Sequence, residues 1–282
     1  MSGGMTDRPA SERPSRAPRS GTRQRSYTHQ YVDVRGLSCA EVDALVDSLW
    51  GVQVAVFDGV DRASFRRYLA DPEAIAAAVE VHRDADGAVV GYYCATAFER
   101  VLDGAPCTVI RAAVAVLPEH RGLGRIPRFG VRFAMPLLVR YPLRRVYGFA
   151  CPVHPVSYRM VAKYADGMFP HPSRETTDAQ RRFLLELAGG FGLPAAQGCS
   201  ELVREVGWLT RQCEGSKRAW ACVDDAAARF YQAHNPDYGR GTGLLIAFPV
   251  SVAGALSALG RTSLSRLRRA RFGGAGLRVA AS

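Results

Sequence analysis

A mixed α/β fold is what this 282-residue chain predicts, and three observations carry the prediction. An apolar run from Val109 meets Pro118 and opens into a turn punctuated by Gly122 and Gly124. A second apolar segment, 129–139, follows at once, so strand, turn and helix succeed one another. Two strand-like segments, 76–82 and 88–98, flank a short turn at 84–87, and Asp103-Gly104 signals a second hairpin.

In order, the segments read as follows. Residues 1–28 are Ser, Arg, Pro, Gly and Thr with almost no apolar content, which predicts a disordered basic tail. Tyr31-Val32-Asp33-Val34 alternates and suits a first strand. Apolar residues at Val42, Leu45, Val46 and Leu49 recur at helical spacing, with Ser38 as the N-cap. A helical patch covers 65–69. After the hairpin strands and the strand–turn–helix come a strand over 145–151 and a helix over 157–164. Further on, 180–187, 201–208 and 224–233 read as helices, 235–239 as a turn cluster and 244–248 as a short apolar strand.

Composition narrows the function classes. A hydrophobic content of 48% is that of a globular chain with a core. The net charge of +11 sits mostly at the ends: +4 in residues 1–28 and +6 in 251–282, which leaves +1 for 29–250. A near-neutral centre weighs against nucleic acid as a partner. Thirty-five of the 37 basic residues are Arg, a compositional bias that dilutes any single Arg as a functional sign. Seven scattered cysteines without a C-x-x-C pair predict reduced thiols, no zinc site and a cytoplasmic protein. No apolar signal region opens the chain.

The stretch 109–125, VIRAAVAVLPEHRGLGR, is the one around which the rest is organised. A Gly-rich turn that leads into a helix presents free backbone N–H groups, and glycines let a ligand approach the main chain. Its wording resembles the acyl-CoA-binding motif of the GNAT superfamily of N-acyltransferases, with Val114, Val116, Pro118, Arg121, Gly122 and Gly124 on the pattern. Ile126 stands where the family has Gly or Ala. The resemblance spans about residues 29–170. It implies a GNAT-like mixed, largely antiparallel sheet flanked by helices, with a C-terminal α/β extension. It also implies coenzyme A binding by Val114, Ala115, Val116, Arg121, Gly122, Leu123, Gly124, Arg125 and Ile126. The donor would be acetyl-CoA or another acyl-CoA as co-substrate, without a metal, and the acceptor a small-molecule amine. Residues 171–250 are expected to pack on the core and shape the acceptor pocket.

Acyl transfer needs a route for the amine's proton. The position that often holds a carboxylate base in the family is Thr108 here, and 104–118 contains no acid. Glu99, at the end of the preceding strand, is the nearest carboxylate. His154, after the strand at 145–151, offers an imidazole. Tyr158 opens the next helix, where the family often keeps acid or acceptor groups. The family's usual Tyr slot later in that helix falls on Val161, and Tyr164 reads as core. Cys151 reads as a buried small hydrophobe. The missing strand carboxylate keeps a second reading open, a non-catalytic GNAT-like module that binds an acyl thioester.

The last segment, 251–282, is basic and amphipathic, with Leu256, Leu259, Leu264 and Leu267 at helical spacing. It suits peripheral contact with anionic lipid or docking of an acidic acyl carrier protein better than a membrane span. Neither the oligomeric state nor the amine follows from these residues.

Overall fold

The computed structural model describes residues 26–102, 104–122, 125–211, 220 and 223–261. The disordered-tail expectation for residues 1–25, Leu123 and Gly124 of the turn, and the basic stretch 262–282 lie outside them. Six strands make one sheet in the order β1 (Thr28–Asp33), β3 (Ala76–Arg83), β4 (Val89–Leu102), β5 (Ala105–Val116), β6 (Arg145–Ala150) and β10 (Ile246–Pro249). Every neighbouring pair is antiparallel except β5 and β6, which are parallel. The fold is thus mixed α/β around a largely antiparallel sheet.

Helices cover both faces. α1 (Cys39–Val56) begins on a capping box: the Ser38 hydroxyl accepts from the Glu41 N–H, and the Glu41 carboxylate accepts from the Ser38 N–H at 2.8 Å. α2 (Arg62–Leu69) is capped by Asp61. Val46, Leu49, Phe65 and Leu69 of these helices pack on Val79, Val81, Tyr92 and Cys94. α3 (Ile126–Arg140) covers the other face, setting Phe129, Phe133 and Leu137 against Ala78, Tyr93, Ala95 and Ala97. Successive β4 side chains go to opposite faces, and both faces are buried, so 90–98 reads as an apolar run broken only by Gly91 and Thr96.

α4 (Pro155–Tyr164), α5 (Asp178–Gly190) and α6 (Ala226–His234) follow. The Tyr158 ring of α4 stacks on Phe230 of α6 at 5.8 Å. Two small ladders join the C-terminal part to itself and to the rest. β2 (Phe57–Asp58) pairs with β8 (Leu209–Thr210), and β7 (Val203–Glu205) pairs with β9 (Thr242–Leu244). Buried Asn235 closes the turn before β9, donating to the Thr242 carbonyl at 3.1 Å and accepting from the Thr242 hydroxyl at 2.7 Å.

Two expectations change. The helix expected over 201–208 is the strand β7 followed by a turn at Gly207, which has φ +76°. Tertiary pairing with β9 and the bonds from Val206 and Gly207 N–H to the Gly241 carbonyl override the local helical pattern. The strand expected over 244–248 is split at Leu245 between two sheets, ending β9 and forming β10. The uncharged run 241–260 contains these strands and a helical segment at 252–261. Among the described residues, no helix is long and apolar enough to cross a membrane.

Candidate functional site

β5 and β6 pair only from Cys107 opposite Arg145 to Arg111 opposite Phe149. Beyond that point β6 turns away towards α4, while β5 continues to Val116 beside β4. The sheet is therefore split along residues 112–116. Hydrogen-bonding direction alternates along an antiparallel strand. Leu117 N–H donates to the Val90 carbonyl at 3.0 Å, so 111, 113 and 115 also face β4. The N–H and C=O groups of Ala112, Val114 and Val116 are thus turned to the split. Ala115, expected with its neighbours to meet a ligand through its backbone, is instead turned to β4, and its side chain is buried under α1.

A cavity of about 420 Å³ lies at the split. On the α3 side it is walled by Val114, Ile126, Gly130 and Phe133. On the α1/α2 side the wall is Phe57, Tyr68, Arg111 and Trp208. Trp208 comes from the C-terminal part and is fixed by Phe57 and Tyr68, with ring centroids 5.4 and 5.1 Å away. Gly148 matters at close range: a Cβ there would strike the ring of Phe248, another wall residue.

The turn after β5 holds a short 3-10 segment, Pro118–His120, and Gly122 with φ +90°, a left-handed conformation that favours glycine. α3 starts without a side-chain cap, its N-cap being Arg125. The N-cap side chain thus accepts nothing from the first turn, in which Ile126 and Arg128 carry an N–H and Pro127 does not. Arg121 and Gly122 are exposed beside them. The Arg125 guanidinium is committed elsewhere: it donates to both carboxylate oxygens of buried Glu80, at 3.0 and 3.4 Å. This pair ties the start of α3 to the centre of β3.

Next to Glu80, His82 is fully buried, with Nδ1 2.8 Å from Nδ1 of His29 and its ring 4.2 Å from that of Tyr93. Burial first, against the opposing pull of Glu80, moves the His82 pKa down from 6.5 to about 4. Folded His82 thus resists a proton that the unfolded chain accepts. The stability it contributes is present above pH 6.5 and is lost as the pH falls towards 4, an effect of about 3 kcal/mol. Denaturant unfolding at pH 4 to 7 should show this loss in the wild type and a flatter profile in His82→Gln. Parallel profiles would remove His82 as the cause.

The three side chains expected to do chemistry lie away from the cavity wall. Glu99 pairs with Thr108 across the closed end of the β4–β5 ladder, and its carboxylate binds Arg144. His154 caps α4, its Nδ1 accepting from the Val156 N–H at 3.1 Å, with its ring edge-on to Trp220 and Tyr238. The Tyr158 hydroxyl is buried and donates to the Pro170 carbonyl at 2.9 Å. Burial pushes that phenol's pKa up. Cys151 does line the cavity, but burial pushes its thiol up to about 12, which leaves it protonated. The acid in the wall is Asp166, paired with Arg261 at 3.2 Å. Val161 and Tyr164, expected as an unfilled slot and as core, both line the cavity from α4.

Solved structures similar to this chain include acetyltransferases. An aminoglycoside N-acetyltransferase, AAC(6')-Iy, in complex with CoA is 12% identical, with 51% of this chain and 89% of that one covered and a TM-score of 0.35. For an IAA acetyltransferase from Bacillus cereus the values are 12%, 51%, 77% and 0.29. For the NatC complex bound to Gag peptide and CoA they are 10%, 80%, 99% and 0.33. No protein-family model and no curated protein matches the chain. Likeness at this level fixes neither activity nor ligand.

Proposed function

We propose that the chain is an N-acyltransferase of the GNAT kind, moving an acetyl or longer acyl group from coenzyme A to a small amine. The observation that carries this reading is the open edge of β5. Ala112, Val114 and Val116 offer donors and acceptors at strand spacing, which suits an extended arm bearing amides, as pantetheine does. The uncapped start of α3 lies one short turn further on and suits the pyrophosphate. Residues 29–170 then form the acyl-CoA-binding core, and 171–250 supply part of the acceptor wall through Leu193, Val206 and Trp208.

In the reaction, the amine nitrogen attacks the thioester carbonyl carbon. The C–N bond forms, the C–S bond breaks with its electron pair on sulfur, and the products are an amide and a free thiol. A backbone N–H of the open edge donates to the carbonyl oxygen as charge develops there. The ammonium proton leaves to water, because Asp166, the one carboxylate in the wall among the described residues, is already ion-paired, and the thiolate takes a proton from solvent.

Titration calorimetry with coenzyme A tests the core of this reading. A dissociation constant between about 1 μM and 1 mM is expected, and no heat at millimolar ligand would sink it. Thiol release from acetyl-CoA over a panel of amines then tests turnover. The position of Glu99, His154 and Tyr158 off the wall favours a second reading, an acyl-thioester-binding module without catalysis, which would give binding and no thiol release with any amine. An acyl carrier protein as donor would show as equal affinity for pantetheine and coenzyme A, since only the latter carries the nucleotide.

A further inference from the structure

On the side of the sheet opposite α3, the cavity carries a cation that the acyl-transfer step does not use. Arg111 is the last β5 residue paired with β6, and its guanidinium reaches the wall formed by Tyr68, Phe57 and Trp208. It rests on two ring faces, 5.2 Å from the centroid of Tyr68 and 4.6 Å from that of Phe191. Among the described residues it has no carboxylate partner and no hydrogen bond. A second guanidinium, that of Arg204, belongs to β7. The Arg204 Nε is buried without a hydrogen-bond partner. Among the described residues, no acid lines this side of the cavity; the one in the wall, Asp166, follows α4 and is held by Arg261.

A half-buried guanidinium without a counter-charge loses part of its hydration, and stacking on rings offsets only part of that cost. The arrangement is completed by an anion. A planar carboxylate matches the fork of an arginine with two parallel hydrogen bonds, and the surrounding aromatic wall accepts an apolar body. From the unpartnered Arg111, set in an aromatic wall at the sheet split, we propose that the acceptor amine carries a carboxylate and an apolar or aromatic side group, in the manner of an apolar amino acid. The assignment rests on the acyltransferase reading, in which the donor lies along the α3 face and leaves the Arg111 face to the acceptor. The same cation could instead meet a carboxylate at the far end of a dicarboxylic acyl group, so the test separates the two sources.

The probes are N-acetyl-L-phenylalanine, which has the form of a product, and its carboxamide, each titrated calorimetrically into the full chain. The acid is expected to bind about 10- to 100-fold more tightly than the amide, the worth of a charge-assisted hydrogen bond. Arg111→Gln should abolish the difference, and Arg111→Lys should keep part of it. Equal affinity of acid and amide for the wild type overturns the proposal, and this comparison needs no variant to fold. Coenzyme A, acetyl-CoA and succinyl-CoA are titrated separately. Coenzyme A binding together with equal affinity of acid and amide overturns this proposal and leaves the acyltransferase reading standing. Preference for the acid without coenzyme A binding supports the anion site and overturns the acyltransferase reading. A preference for succinyl-CoA over acetyl-CoA that Arg111→Gln removes, with acid and amide alike, moves the carboxylate to the donor and overturns the acceptor assignment.

Discussion

Gly130→Trp is expected to weaken coenzyme A binding by up to about 100-fold while the protein melts no lower than the wild type. Gly130 lies inside α3 and lines the cavity, and a Cβ built there meets nothing within 4 Å. A side chain at this point therefore grows into open space without displacing the helix. Glycine in a helix interior costs about 1 kcal/mol relative to alanine, so replacing it favours the folded state. An indole in the cavity must be pushed aside before a pantetheine arm can lie along β5. Overpacking of that kind costs about 1–3 kcal/mol, which converts to between fivefold and a little over 100-fold in affinity. Calorimetry and a thermal melt on the same preparation decide it. Undiminished affinity in a well-folded variant would mean that the ligand does not use the α3 side of the split.

Arg125→Met should lower unfolding free energy by about 3–5 kcal/mol, the largest single stability effect expected in the molecule. The Glu80 side chain is 3% exposed and Arg125 is 20% exposed, so the substitution leaves a carboxylate in the interior without its cation. The neighbouring imidazoles do not replace that charge, since burial lowers the pKa of both His82 and His29. Removing both charges should restore much of the loss, because a buried pair roughly balances its own desolvation. Arg125→Met with Glu80→Met is therefore expected to be more stable than Arg125→Met alone. Denaturant unfolding of the wild type, both single variants and the double variant gives the coupling directly. A single-variant cost under about 1 kcal/mol would show that the pair does not anchor α3.

These two expectations touch the two ends of one device. The cavity wall at Gly130 and the anchor at Arg125 belong to the same helix, so the start of α3 is held by Glu80 while its next turn lines the cavity. A stable anchor keeps the uncapped N–H groups in one place without a side chain from the loop itself. That explains why Arg125, expected to meet the ligand, is drawn to β3 instead.

The amino-acid sequence by itself determined the elements whose signals are local. Ser38 and Glu41 spell a capping box three residues apart, and α1 begins there. Apolar runs over 76–83 and 89–98 with a turn at 84–87 are enough to set a hairpin, because turn chemistry is short-range. The run 109–125 showed a strand and a glycine turn, with α3 following from Ile126. Local signals failed where pairing partners are far apart: 201–208 has helical spacing, yet β7 pairs with residues about forty positions later. The split between β5 and β6 was invisible for the same reason, since it depends on where a parallel partner stops. So was Arg111, one Arg in a chain where 35 of 37 basic residues are Arg. Its distinction is that, among the described residues, no counter-charge stands beside it, a property of its surroundings. Glu80 likewise looked like one charge in an apolar strand until β3, β1 and the start of α3 were brought together around it. Hydrogen-bonding direction, burial and charge pairing are set by neighbours in space, and only the tertiary structure decided them.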